Sequence, residues 1–147
     1  MILKQLSLFL ENRPGALSRP VRLLADAGHN LLTLSIADTS QFGILRLILR
    51  DGEAARNLLE QNGFMVKVTD LVAVAVADRP GGLAAVLAVV ESAGLNVEYM
   101  YPLTEKRAGR AILAFRFADP DAALRVLQSH GLDVLAGTDP LAGGPAE

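Results

Sequence analysis

Apolar and polar residues alternate at the start of the chain, where leucines occupy every second position from residue 6 to residue 10. A period of two predicts a half-buried β-strand. Leu17, Val21 and Leu24 then follow one another at helical spacing, which predicts an amphipathic helix, and Gly28 is expected to end it. The start of the chain therefore predicts a strand followed by a helix.

The first half of the chain continues with a second strand, a third strand, a second helix and a fourth strand. The predicted elements are, in order, a strand from Asn30 to about Ala37, a turn at 38–43, a strand at 44–50, a helix capped by Asp51 and ended by Gly63, and a strand at 64–68. The predicted order of elements is β-α-β-β-α-β.

The chain repeats itself, which makes the assignment stronger. The sequence Asn-Arg-Pro-Gly-Ala-Leu at 12–17 reappears as Asp-Arg-Pro-Gly-Gly-Leu at 78–83, 66 residues later, and Ala-Gly-His-Asn at 27–30 reappears as Ala-Gly-Leu-Asn at 93–96. From Asp51 and Asp119 onward the offset is 68, so two residues are inserted where a hairpin tip is expected. We call the two halves copy one and copy two.

Copy two is predicted to contain strands at 71–77, 96–103, 110–117 and 132–135, and helices at 80–93 and 119–130. The sequence therefore predicts an α+β protein made of two ferredoxin-like βαββαβ domains in tandem, with antiparallel sheets and the helices on one face. The predicted domains are residues 1–70 and 71–136. Residues 137–147 are rich in Gly, Pro and Ala and are predicted to form a disordered tail.

Three positions leave alternatives open. In the second strand of copy one, the even positions from Leu32 to Ile36 look core-facing, whereas in copy two the odd positions from Val97 to Tyr101 carry the bulk, so either face is a candidate for the core. Pro102 cannot donate a ladder hydrogen bond and is expected at a sheet edge or strand end. Pro20 lies within the first predicted helix, which is therefore expected to start late or to kink.

Composition narrows the classes of function. Apolar residues make up 51% of the chain, the formal net charge is −2, and there is no cysteine. The charge argues against a nucleic-acid partner, and the missing cysteines exclude disulfides and thiolate metal sites. The N-terminus lacks the features of a signal peptide, and no apolar run approaches the ~20 residues of a membrane span. We expect a cytoplasmic protein without a membrane partner.

A βαββαβ unit whose first turn contains Arg-Pro-Gly, followed by Gly-x-Asn before the second strand, resembles the ACT domain. Both copies carry these motifs at the same spacing, and the resemblance covers residues 1 to about 136. It implies a regulatory protein that binds a free amino acid where ACT domains meet and passes the signal to a partner enzyme. It also implies no catalytic residue and no cofactor, and that the Asn before the second strand acts from a neighbouring domain. Apolar residues occupy both faces of the predicted sheet, such as Phe9, Ile44 and Ile48 opposite Leu45 and Leu47, so we also expect the two copies to pack on each other and the chain to form a homodimer.

Elementary chemistry also favours a ligand site at the turn. The first amides of a helix lack intrahelical partners and lie at its positive end, which suits a carboxylate. Glycine lets a ligand approach the backbone closely. Asn12 offers both donors and an acceptor, whereas Asp78 offers acceptors only and would repel a carboxylate, so copy one is expected to be the better site. The predicted ligand-binding residues are Asn12, Arg13, Pro14, Gly15, Ala16 and Leu17, their counterparts Asp78, Arg79, Pro80, Gly81, Gly82 and Leu83, and Asn30, Leu31, Asn96 and Val97 at the second strands.

Structural explanations compete with this hypothesis. Asn12 and Asp78 are also suited to cap a helix, and Gly15 and Gly81 to allow tight packing of helix against strand. The arginines of the turns are expected to point to solvent or to pair with nearby acids. The two histidines lack metal-ligand spacing, so no metal site is predicted.

Two other functions remain as alternatives. A ligand-free adaptor would use the ACT pair only to assemble a partner complex. An RNA-binding sheet would need exposed aromatics, for which Phe9, Phe115 and Phe117 are the candidates, together with a basic face that the net charge does not provide.

Overall fold

A computed structural model describes residues 2–38 and 42–135. The predicted tail at 137–147 and the middle of the predicted turn at 38–43 lie outside these residues. The chain forms two compact units, one of residues 4–69, which holds copy one, and one of residues 70–135 with residues 2–3, which holds copy two. The helices and strands are β1 Ile2–Glu11, α1 Ser18–Asp26, β2 Leu31–Asp38, β3 Phe42–Leu49, α2 Gly52–Gln61, β4 Val66–Ala77, α3 Gly82–Ser92, β5 Tyr99–Arg107, β6 Arg110–Arg116, α4 Pro120–Ser129 and β7 Asp133–Val134.

In copy one, β3 lies between β1 and β2 and pairs antiparallel with both of them. The alternating leucines of β1 and β3 point to the same side and form the core with Leu24 of α1 and with Ala55 and Leu59 of α2. Both helices therefore cover one face of the sheet. The Asp51 carboxylate accepts a hydrogen bond from the Ala54 amide at 3.0 Å, which confirms the predicted cap of α2.

Copy two repeats this architecture with a different core composition. The strand order is β7-β4-β6-β5, and each neighbouring pair is antiparallel. Valines of β4, Phe115 of β6 and Phe117 just after it pack against α3 and α4, where Val86, Val90 and Leu127 complete the core. Asp119 caps α4 through the Ala122 amide at 3.0 Å. Pro102 lies in β5 at the end of this strand order, as expected for a residue without an amide hydrogen.

Two boundaries differ from the sequence prediction. The separate strands predicted at 64–68 and 71–77 form one continuous strand, β4, because nothing between Thr69 and Leu71 forces a turn. The second strand of copy two begins at Tyr99 rather than at Asn96. The strands around the predicted turn at 38–43 also extend further, to Asp38 on one side and from Phe42 on the other.

The late start predicted for the first helix is confirmed. Helix α1 begins at Ser18, so Pro20 falls within its first turn, where amides have no partner to lose. Helix α3 begins at Gly82, the counterpart of residue 16, and Val86 occupies the place of Pro20. The proline therefore accounts for a delay of two residues in copy one.

The second strands resolve the open question of which face is buried. Leu34 and Ile36 of β2 are paired with Leu47 and Leu45, so they lie on the core side of the sheet, but nearly half of each side chain is exposed at its edge. In copy two, Met100 packs partly against the core. The side chains at the even-numbered positions of β2 and β5 therefore face the helices of their own copies.

Candidate functional site

The two Arg-Pro-Gly turns have the same backbone structure. Each lies between the end of a strand and the start of a helix, and the Arg13 and Arg79 amides donate to the carbonyls of Glu11 and Ala77, both at 2.9 Å. Gly15 has φ of +85° and Gly81 has φ of +88°, a left-handed conformation that favours glycine. Both glycines are therefore required by backbone conformation.

The tight packing expected at Gly15 and Gly81 occurs instead at Gly82. A Cβ atom at Gly82 would lie 2.0 Å from the Ala77 carbonyl oxygen, whereas a Cβ at Gly15 or Gly81 would meet nothing within 4 Å. Copy one has Ala16 at the corresponding position. The second turn therefore lies closer to its strand than a turn with alanine could.

The hypothesis that Asn12 and Asp78 cap the helices is wrong. The N-cap residues are Leu17 and Gly81, and neither helix has a side-chain capping hydrogen bond. Asp78 instead forms an ion pair with Lys106 at 2.5 Å. Asn12 lines a small hollow of about 170 Å³ beside Leu17 and Ile36. The polar side chains of the two turns are thus not used to satisfy the helix amides.

Free amides remain at the start of α3. In the part of the chain that the structure describes, the Ala85 amide donates to the Gly81 carbonyl at 3.0 Å, but the Leu83 and Ala84 amides have no backbone acceptor. Helix α3 runs for 11 residues, so its positive end points toward the turn. This end of copy two is suited to an anionic group.

The two turn arginines have different partners. Arg13 forms an ion pair with Glu11 at 3.0 Å, as expected for an arginine next to an acid. The counterpart of Glu11 is Ala77, and the Arg79 guanidinium forms no ion pair with the side chains that the structure describes, which leave out those of residues 105 and 107. Arg13 is therefore already paired with a carboxylate, whereas Arg79 is available to bind a ligand.

A cleft of about 560 Å³ lies beside the turn of copy two. Its walls are the turn, the start of α3, the start of β6 and the segment that leads into β7. Arg110 crosses this cleft: it pairs with Asp133 and donates to the Ala75 carbonyl oxygen at 2.9 Å. Ala75 and Ala85 contribute only methyl groups to the lining. The cleft thus combines charged groups with room for a ligand.

The corresponding cleft of copy one is smaller, about 390 Å³, and is lined by larger side chains. Phe9 takes the place of Ala75, Arg19 that of Ala85, and Phe64 that of Leu132. The Arg19 guanidinium lies 4.7 Å from the centre of the Phe64 ring and donates to the Asn62 carbonyl at 3.0 Å. A cation–π contact and a hydrogen bond therefore hold Arg19 within the space that is open in copy two.

The predicted site residues at the second strands lie far from the turn of their own copy. Asn30 and Leu31 adjoin the end of β3, since Leu31 pairs with Leu49, whereas the turn adjoins the start of β3, since Glu11 pairs with Phe42. Asn96 and Val97 precede β5, whose Tyr99 pairs with Arg116 at the far end of β6 from Arg110. Neither copy brings its own asparagine to its own turn.

The aromatic candidates for RNA binding are divided between core and surface. Phe115 and Phe117 are buried and stacked on each other, with ring centres 5.9 Å apart, so they are unavailable for stacking on bases. Phe9 is 66% exposed. In the described residues, no group of three His, Cys, Asp or Glu side chains is arranged to hold a metal ion.

Sequence reasoning missed Arg110 and Asp133. They lie in different strands, and neither belongs to a repeated motif. A position-by-position comparison of the copies would have found them, because Arg110 replaces Phe42 and Asp133 replaces Met65. The signal in the sequence is that two apolar residues of copy one are replaced by an arginine and an aspartate in copy two.

The geometry defines a pair of ferredoxin-like units, and comparison with known proteins identifies the family. A family model described as an ACT domain pair matches residues 1–142, and the chain belongs to this family. Protein BT0572 from Bacteroides thetaiotaomicron is 37% identical, with a TM-score of 0.89 and 97% of each chain covered.

The fold is also that of known regulatory subunits. The ligand-free regulatory subunit of aspartate kinase from Thermus thermophilus is 18% identical, with a TM-score of 0.61, and the match covers 86% of this chain and 91% of that one. The regulatory subunit from Thermus flavus has a TM-score of 0.57 at 19% identity, covering 88% and 94%. No curated protein matches the sequence. None of the described helices is long and apolar enough to cross a membrane.

Proposed function

We propose that this protein is an amino-acid-responsive regulatory module without catalytic activity of its own. Membership of the ACT domain pair family supports this function, as does the fold shared with the regulatory subunits of aspartate kinase. Residues 1–70 and 71–136 act as the two sensor domains, and the regulated enzyme is a separate partner in the cytoplasm.

The observation that carries the proposal is the turn between strand and helix. It places unpaired amides, a left-handed glycine and an arginine together at the positive end of a helix. The carboxylate of an amino acid binds these amides and the arginine, and the ammonium binds a polar side chain at the rim. The contacts come from Asn12, Arg13, Pro14, Gly15, Ala16 and Leu17 or from Asp78, Arg79, Pro80, Gly81, Gly82 and Leu83.

A neighbouring ACT domain, from the same chain or from a second one, completes the site in this proposal. Asn30 and Leu31, like Asn96 and Val97, lie at the opposite end of the sheet from the turn of their own copy, so they reach a ligand only from a neighbouring domain. The half-exposed Leu34 and Ile36 give the edge of β2 an apolar surface suited to a homodimer. Light scattering is expected to show a dimer, and a monomer at high micromolar concentration would contradict this part.

A thermal-shift panel of the proteinogenic amino acids tests the function. A ligand at 100 times its Kd stabilises the folded protein by about 2.7 kcal/mol. At least one amino acid is expected to shift the melting temperature, and calorimetry on that hit gives the affinity. If none of them shifts it at millimolar concentration, the sensor function is wrong.

The same panel distinguishes the ligand-free adaptor. Phe9, Phe42 and Met65 are 66%, 53% and 85% exposed in copy one, an apolar surface that favours protein contact. An adaptor would retain partner assembly while ignoring every amino acid.

A further inference from the structure

The two turns share one backbone, but among the described side chains the cleft of copy two has a cation without an ion-pair partner, and it is the larger of the two clefts. We infer that this cleft is the ligand-binding one and that it selects a dicarboxylic amino acid. The inference rests on the proposed function, because it names the site and the ligand class for the same amino-acid-sensing activity.

The first step of the argument is the available cation. Glu11 neutralises Arg13 in copy one, and Ala77 removes that carboxylate from copy two. Asp78, the other acid of the second turn, is held by Lys106 at 2.5 Å and does not line the cleft. Arg79 lines it, beside the unpaired amides of Leu83 and Ala84. These groups form a binding site for one carboxylate.

The second step is the ion pair at the other wall. Arg110 and Asp133 both line the cleft, and roughly half of each side chain is exposed, so both can contact a ligand while they remain paired. Asp133 accepts hydrogen bonds from an ammonium, and Arg110 donates to a second carboxylate. Two guanidiniums and one carboxylate complement a ligand that has two carboxylates and one ammonium.

The third step is space. Ala75, Ala85 and Leu132 stand where copy one has Phe9, Arg19 and Phe64, and the cleft is correspondingly larger, about 560 Å³ against 390 Å³. Since Arg19 of copy one is fixed on Phe64, the smaller cleft does not open by simple rotation of that side chain. The small residues leave room for the carbon chain of the ligand between its charged ends.

Calorimetry on the full-length protein tests this inference with L-glutamate as the probe. We expect glutamate to bind, and glutamine and glutarate to bind roughly 10- to 100-fold more weakly. Glutamine lacks the side-chain carboxylate, and glutarate lacks the ammonium. Arg79→Gln is expected to weaken glutamate binding by a similar factor, whereas Arg125→Gln, an equal loss of charge on the exposed surface of α4, leaves it unchanged.

Copy one provides the matched variants. Ala77→Glu introduces the acid that copy one has at Glu11 and is expected to weaken glutamate binding more than Ala77→Gln, which adds the same bulk without charge. Ala75→Phe introduces the ring of Phe9 and is expected to abolish binding by filling the cleft. These variants test charge and space separately.

Each outcome decides between the two proposals. Binding of glutamate that responds to Arg79→Gln and Ala77→Glu supports the inference. Binding of an amino acid with a single carboxylate, in place of glutamate or aspartate, overturns the ligand class while the sensor function stands. Binding of glutamate that ignores both variants places the site elsewhere. If no amino acid binds, both proposals fall.

Discussion

The two copies bury equivalent positions in their cores but differ in the side chains that surround their turns. Leu59 of α2 and Leu127 of α4 occupy equivalent positions and are both fully buried. At the turns, by contrast, copy one has an ion pair and a cleft of about 390 Å³, and copy two has an arginine without a partner among the described side chains and a cleft of about 560 Å³. In this duplicated fold the positions that form the core are the same in both copies, whereas the charges and side-chain sizes around the turns differ.

The largest expected loss of stability comes from substitutions that test whether the two cores are equivalent. Leu59→Ala and Leu127→Ala each remove a fully buried side chain and leave a cavity, so each is expected to lower the free energy of unfolding by about 2–5 kcal/mol. Urea denaturation followed by circular dichroism measures both. A loss below 1 kcal/mol in either copy would show that its core repacks, and the equivalence would fail.

The next effect tests the difference between the turns. Gly82→Ala places a methyl group 2.0 Å from the Ala77 carbonyl oxygen, so the start of α3 must move, at a cost of about 1–3 kcal/mol. The reverse change in copy one, Ala16→Gly, is expected to cost no more than about 1 kcal/mol, through backbone entropy.

Thermal unfolding of the Gly82→Ala and Ala16→Gly variants measures this contrast. Equal losses in the two would mean that the second turn is no tighter than the first. A neutral Gly82→Ala variant would mean that the strand end moves away from the turn without cost.

The smallest expected loss of stability comes from removing the two confirmed helix caps, Asp51 and Asp119. Asp51→Ala and Asp119→Ala each remove the acceptor of one helix amide and are expected to cost about 1 kcal/mol. Asn at either position retains a capping oxygen and is the control. If the Asn and Ala variants unfold at the same urea concentration, these carboxylates do not act as caps.

The elements and their order could be predicted from the sequence because local patterns determine them. Alternating leucines predict β1, and aspartates predict the starts of α2 and α4. Because the sequence repeats, an element assigned in one copy also predicts its counterpart in the other. The predicted boundaries of β4 and β5 were wrong because the pattern of apolar and polar residues does not show where a strand stops. Thr69 and Asp70 look like a break between strands, yet the backbone passes through them fully extended.

The site could be predicted only in part. The motif located the two turns, and the left-handed glycines follow from it. It could not show that Asp78 binds Lys106, because that contact joins residues 28 positions apart through a hairpin. The Arg110–Asp133 pair likewise depends on β6 and β7 lying on either side of β4. Contacts of this kind come from strand order, which the motif does not specify.

The continuous strand β4 has a consequence for how such a repeat can evolve. Its residues Val66–Ala77 belong to both copies, so the duplication has left no spacer between the ancestral genes. A recombination event that removed one copy would have to cut within a strand and would leave its backbone groups without partners.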